Sequence, residues 1–103
     1  MNAAERLWRG LEERDWPAVR AQFHATAEIA WPHAGTRMGV VEYVATQRER
    51  TSGGRDARAE RIVGEGRAVA VEGRIGDARC AAFYDLHDGH IAGAVEYWVG
   101  EPA

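Results

Sequence analysis

The chain has 103 residues, 46% of them hydrophobic and 28% charged, and a formal net charge of −3. That length supports one hydrophobic core, so a single domain over residues 1–103 is expected, and the composition excludes global disorder. The arginines are interleaved with acids, as in Glu5-Arg6, Glu13-Arg14-Asp15 and Arg48-Glu49-Arg50, which speaks for solvated helix faces and against a nucleic-acid partner. No apolar run is long enough to span a bilayer, and the first residues lack the apolar core of a signal peptide, so no membrane partner and a cytoplasmic location are expected. A single cysteine, Cys80, allows no internal disulfide.

The first half of the chain reads as helical. Asn2 with Glu5 three residues later is a capping-box signature, and Leu7 and Leu11 repeat at helical spacing with Ala3 a turn earlier and Trp8 on the flank. Asp15 before Trp16-Pro17 is a second helix start, because proline is tolerated in a first turn. Trp16, Val19 and Phe23 form that helix's apolar face, and His24 ends it, where a cation complements the dipole. Glu28 to Trp31 reads as a short strand stopped by Pro32, and His33 to Arg37 as a loop. A third helix runs from about Gly39 to Arg50, with Val40, Val41 and Val44 inward and Tyr43 alongside, before Gly53-Gly54 closes it.

From Ala57 the pattern changes to strands, at Arg58–Gly64, Arg67–Ile75, Arg79–Leu86 and His90–Val99. The Gly76-Asp77 and Asp88-Gly89 pairs between them suit tight turns, so an antiparallel meander follows. Gly73 and Gly93 interrupt strands where bulges bring curvature. The fold class is α+β: three N-terminal helices packed on a strongly curved, mainly antiparallel sheet.

This order of elements resembles the nuclear transport factor 2-like superfamily, and within it the SnoaL-like proteins. The likeness is carried by Arg14-Asp15-Trp16, the Trp31-Pro32-His33-Ala34-Gly35 corner, Gly39, and the ending Asp88-Gly89-His90-Ile91 through Glu96-Tyr97-Trp98. It implies an α+β cone around a pocket. Isomerases of that superfamily use a tyrosine on the first helix, an aspartate before the proline corner and a protonated aspartate on the sheet. Those places fall on Leu7, Trp31 and Ala81, none of which can move a proton or stabilise an oxyanion as they do.

Alternation along the last strand points Ile91, Gly93, Val95 and Tyr97 one way and Ala92, Ala94, Glu96 and Trp98 the other. In the resembled fold the second set faces the cone, joined by Ala81, Phe83 and Asp85 of the preceding strand. Small residues at Ala81, Ala92 and Ala94 beneath Trp31, Phe83 and Trp98 suit an apolar or aromatic ligand. The expected substrate-binding set is Leu7, Trp31, His33, Ala81, Phe83, Ala94 and Trp98, with His33 at the mouth. Glu96 is the candidate catalytic residue, a general acid or base of lyase, isomerase or cyclase type. The plainer reading pairs it with Arg74 or Arg37, or lets it reach water at the mouth. His87 and His90 flank a turn and lack the converging third and fourth ligands a metal needs. Gly64-Glu65-Gly66 joins two strands and is no phosphate loop, so no metal and no cofactor are expected.

Two functions follow as expectations. One is small-molecule binding in the cone, with or without acid–base chemistry. The other is a non-catalytic scaffold that forms a homodimer through an outer sheet face of Ile91, Val95, Tyr97, Cys80 and Tyr84.

Overall fold

A computed structural model describes residues 1–100. The first helix, α1 (Ala3–Glu13), starts on the expected box: Asn2 accepts from the Glu5 N–H at 2.9 Å, and Glu5 accepts from the Asn2 N–H at 3.0 Å. Its inward face is Ala3, Ala4, Leu7, Trp8, Gly10 and Leu11. The second helix, α2 (Trp16–Ala21), is capped by Asp15 and packs closely on α1, where a Cβ on Gly10 would stand 2.9 Å from Val19 Cγ2. Phe23 and His24 do not belong to it. They open strand β1 (Phe23–Trp31), which begins five residues earlier than the alternation around Glu28 suggested.

Pro32–Ala34 forms a single 3-10 turn, and Gly35, at φ 64°, lets the chain reverse into β2 (Thr36–Met38). That short strand replaces the end of the expected loop and pairs antiparallel with Ile29–Trp31. Helix α3 (Val40–Arg50) follows. Its buried face is Val40, Tyr43 and Gln47, with Val44 partly buried, while Val41 is 66% exposed. Val41 therefore does not face inward. At about 100° per residue it lies off the stripe that carries positions 40, 43, 44 and 47.

The meander consists of β3 (Ala57–Glu65), β4 (Ala68–Ile75), β5 (Ala78–His87) and β6 (His90–Val99). The six-stranded sheet runs β2-β1-β6-β5-β4-β3, antiparallel throughout except for the parallel β1–β6 pair. Both strand glycines sit at irregularities, as expected of a bent sheet. Gly73 pairs with Ala59 beside the register shift of β3, and Gly93 follows the shift of β6. Gly73 also makes room for a helix. A Cβ there would stand 2.6 Å from two ring carbons of Trp8, so its bareness seats the α1 indole against the sheet.

The β6 bulge decides which way β5 faces. Next to the turn, His87 pairs with His90 and Leu86 with Ile91; beyond it, Asp85 pairs with Gly93, leaving Ala92 as the extra residue. Without that residue Phe83 would stand opposite Ala94 and Ala81 opposite Glu96. With it, the partners are Tyr84 and Ala82. A one-residue shift exchanges the faces of a strand. Ala78, Cys80, Ala82, Tyr84 and Leu86 therefore point inward, and Ala81, Phe83 and Asp85 point out. The expected facing of β5 is thus inverted. In β6 the assignment holds for Ala94, Glu96 and Trp98 but not for Ile91, which is buried, or Ala92, which is exposed.

No helix among the described residues is long and apolar enough to cross a membrane.

Candidate functional site

Glu96 lies at the centre of the cone and is 0% exposed. Its Oε1 accepts from Trp31 Nε1 at 3.1 Å and Trp98 Nε1 at 3.2 Å. Its Oε2 accepts from the Tyr43 hydroxyl at 2.9 Å and the Tyr84 hydroxyl at 2.8 Å. These donors arrive from β1, α3, β5 and β6, so closing the fold assembles the site. Neither expected arginine partner is used, since Arg37 approaches Glu28 and Arg74 approaches Glu60. The expected escape to water at the mouth is also absent. Tryptophan and tyrosine side chains meet the carboxylate instead.

A further ring of bonds fixes the direction of the network. Trp8 Nε1 donates to the Tyr84 oxygen at 2.9 Å, and Gln47 Nε2 donates to the Tyr43 oxygen at 3.1 Å. An indole N–H and an amide NH2 only donate, so each phenol spends its acceptor role on them and its one proton on Glu96. Four donors converge on two oxygens, so the hydrogen bonds of the Glu96 carboxyl group are all made within the protein. Burial first, and the Glu96 charge second, push both phenols well above their ordinary value of 10.0, so they remain donors. No buried side-chain nitrogen or oxygen among the described residues lacks a partner.

With both oxygens taken up by four side-chain donors and the residue fully buried, Glu96 presents no open oxygen to a ligand. The arrangement fixes the carboxyl group among aromatic side chains, with the Arg50 guanidinium stacked on the Trp98 ring. That makes it an anchor for the three tryptophans and two tyrosines around it.

Trp31 and Trp98 belong to this centre, with rings 6.2 Å apart, and Ala94 lies one pleat away on β6, 6% exposed. Leu7 is fully buried in the α1 core. His33 sits at the rim, its Nδ1 3.5 Å from the Trp98 backbone nitrogen and its ring 5.7 Å from Trp31. Ala81 and Phe83 are not brought to the centre, because β5 turns them to the outer face, where Phe83 is 53% exposed. The sequence reading did not place Tyr43, Tyr84, Gln47 or Arg50 in the site. The α3 members carried a signal: Tyr43, Gln47 and Arg50 recur at helical spacing on the face that should be apolar.

Arg50 closes the centre on one side. Its guanidinium lies 3.8 Å from the Trp98 ring centroid and 5.2 Å from that of Trp31, and its Nη1 donates to Gln47 Oε1 at 2.8 Å. The same residue lines an open recess of about 660 Å³ between the end of α3 and the β4–β5 hairpin, with Arg55, Arg74, Ile75, Asp77 and Ala78 among its other walls.

The other three histidines gather elsewhere. His24 is on β1, not at a helix end, and its ring lies 6.0 Å from His87 and 5.3 Å from His90. His24 Nε2 is 2.7 Å from the His87 carbonyl oxygen. Among the described residues no group of side chains is arranged to hold a metal.

No family model matches the chain, and no curated protein matches it. Solved structures do. An NTF-2 like protein of unknown function from Burkholderia xenovorans LB400 matches with a TM-score of 0.81 and 20% identity, over 98% of this chain and 83% of that one. IdmH, a candidate polyketide cyclase from Streptomyces antibioticus, matches with a TM-score of 0.79 and 15% identity, over 93% of this chain and 88% of that one. An LEH-like epoxide hydrolase from M. tuberculosis matches with a TM-score of 0.70 and 23% identity, over 94% and 80%. These likenesses speak to architecture, and they agree with the element order and the sheet described above. The chain has the nuclear transport factor 2-like fold, the α+β cone of the SnoaL-like proteins.

Proposed function

We propose that the protein binds a small apolar or aromatic molecule at the open end of its cone, over Arg50, with the Glu96 network as a rigid floor. The observation that carries this reading is the position of the 660 Å³ recess. Its wall residue Arg50 is the layer that covers the Trp98 and Trp31 rings. A ligand that displaces the guanidinium gains two aromatic faces, with Ile75 and Ala78 as further apolar wall.

The test is a thermal-shift and tryptophan-fluorescence screen with uncharged aromatic compounds. Binding raises the melting temperature with ligand concentration by mass action and changes Trp98 emission. Arg50→Ala uncovers the ring and is expected to tighten binding. If no aromatic or apolar compound shifts the transition of either protein, the reading fails.

A second reading concerns assembly and has its own observation. Phe83 at 53%, Tyr97 at 44% and Val99 at 72% exposure form an apolar band on the outer sheet face, with the Phe83 and Tyr97 rings 6.3 Å apart. We propose a homodimer through this face. Its composition differs from the sequence expectation: Val95 and Tyr97 remain, while Ile91, Cys80 and Tyr84 point into the core. Sedimentation equilibrium is expected to give a dimer at micromolar concentration and a monomer for Phe83→Ser; a monomeric parent protein would refute it.

A further inference from the structure

The four groups around Glu96 are held by partners other than Glu96. Trp8 and Gln47 occupy the acceptor sites of the two phenols and so aim their protons. The Trp31 ring lies 5.7 Å from His33 and 5.2 Å from the Arg50 guanidinium, and Trp98 contacts both the Trp8 ring, at 6.4 Å, and Arg50. The constellation is therefore built to receive a planar anion with two oxygens, one facing two indoles and the other two phenols. We propose that this cage is a carboxylate-binding site whose ligand is supplied within the chain by Glu96, and that it takes a free small monocarboxylate once that side chain is shortened.

The size of the ligand follows from the chemistry of the side chain. Truncating glutamate to alanine removes one methylene and the carboxylate, the heavy atoms of acetate. Formate fills the oxygen positions but leaves the methylene space empty. A branched acid such as pivalate exceeds the space, because the surrounding side chains of Trp8, Tyr43 and Tyr84 are fully buried and closely packed. A halide offers one centre where the cage presents two pairs of donors. The order of preference is therefore acetate, then formate, then chloride and pivalate.

The cage is separate from the recess, and no recess ligand is needed to probe it. Glu96→Ala is refolded and melted in acetate, formate, pivalate and chloride at equal ionic strength. A melting temperature that rises with the logarithm of acetate concentration, by several degrees more than in chloride, supports the proposal. Equal rises in acetate and pivalate would be a general salt effect and would overturn it. So would a variant that stays unfolded in molar acetate, since a cage held by other partners would be rescued by its ligand. Adding Tyr84→Phe to Glu96→Ala is expected to reduce the acetate effect at least about tenfold in apparent affinity, the scale of one lost charge-assisted hydrogen bond. An unchanged acetate response in that double variant would place the anion elsewhere and also overturn it.

Discussion

Glu96→Gln exchanges one carboxylate oxygen for an NH2 and alters almost no volume, so its effect isolates the polarity of the cage. The amide keeps a single acceptor oxygen. Turned toward the indoles, the NH2 faces two N–H groups that have nowhere else to donate. Turned toward the phenols, it faces oxygens already accepting from Trp8 and Gln47. Either way two buried donors lose their acceptor, at about 1–3 kcal/mol each. The amide is less costly to bury than the carboxylate, which offsets part of that loss. A net destabilisation of about 2–4 kcal/mol is expected. For a domain of this size each kcal/mol moves the melting temperature by roughly 4–8 °C, so a fall of about 8 °C or more should be measured. Urea unfolding at neutral pH, followed by circular dichroism and tryptophan fluorescence together, provides the free energy and tests the two-state assumption. A Glu96→Gln variant within about 0.5 kcal/mol of the parent, a difference typical of surface substitutions, would mean that the carboxylate is not held as described.

Tyr84→Phe removes one bond to Glu96 and also orphans the fully buried Trp8 indole, so a loss of about 2–4 kcal/mol is expected in the same urea assay. Gly73→Ala drives a methyl into the Trp8 ring and to within 3.0 Å of the Arg58 carbonyl oxygen; a cost of about 1–3 kcal/mol and altered Trp near-ultraviolet dichroism are expected. Both buried phenols are held above 10.0 when folded and return to that value on unfolding. Their contribution is therefore intact below pH 10 and declines as pH rises toward the folded value, by about 1.4 kcal/mol per pH unit for each. Tyrosinate absorbance from Tyr43 and Tyr84 should accordingly appear together with unfolding, not ahead of it.

The architecture is legible in the sequence because its punctuation is local. Asn2, Glu5 and Asp15 satisfy nearby backbone N–H groups, Pro17 fits a first helical turn, and Asp88 and Gly89 take the positive φ of a tight turn, so each of these signals marks a boundary in the structure. What alternation cannot reveal is the phase of β5. Ala81, Phe83 and Asp85 and their neighbours Cys80, Ala82 and Tyr84 are both acceptable inward sets by polarity. The choice is made by Ala92, an extra residue on a different strand. Glu96 stands out because β6 alternates cleanly beyond that point. Its partners do not, because charge suggests arginine, whereas a carboxylate surrounded by aromatic N–H and O–H groups needs no cation to be satisfied. Hydrophobicity alone points Val41 inward, although Gln47 marks the true face of α3.

The bulge at Ala92 also sets how this hairpin can tolerate changes in length. An insertion or deletion between Leu86 and Gly93 would act as a reading-frame error for side chains. Every residue of β5 would change sides relative to β6, exchanging Tyr84 for Phe83 at the centre and dismantling the Glu96 cage from a distance. A second, compensating change of one residue nearby would restore the frame. Length variation in this fold should therefore collect in the β3–β4 turn, where Glu65 and Gly66 are exposed, and enter the β5–β6 hairpin only in compensated pairs.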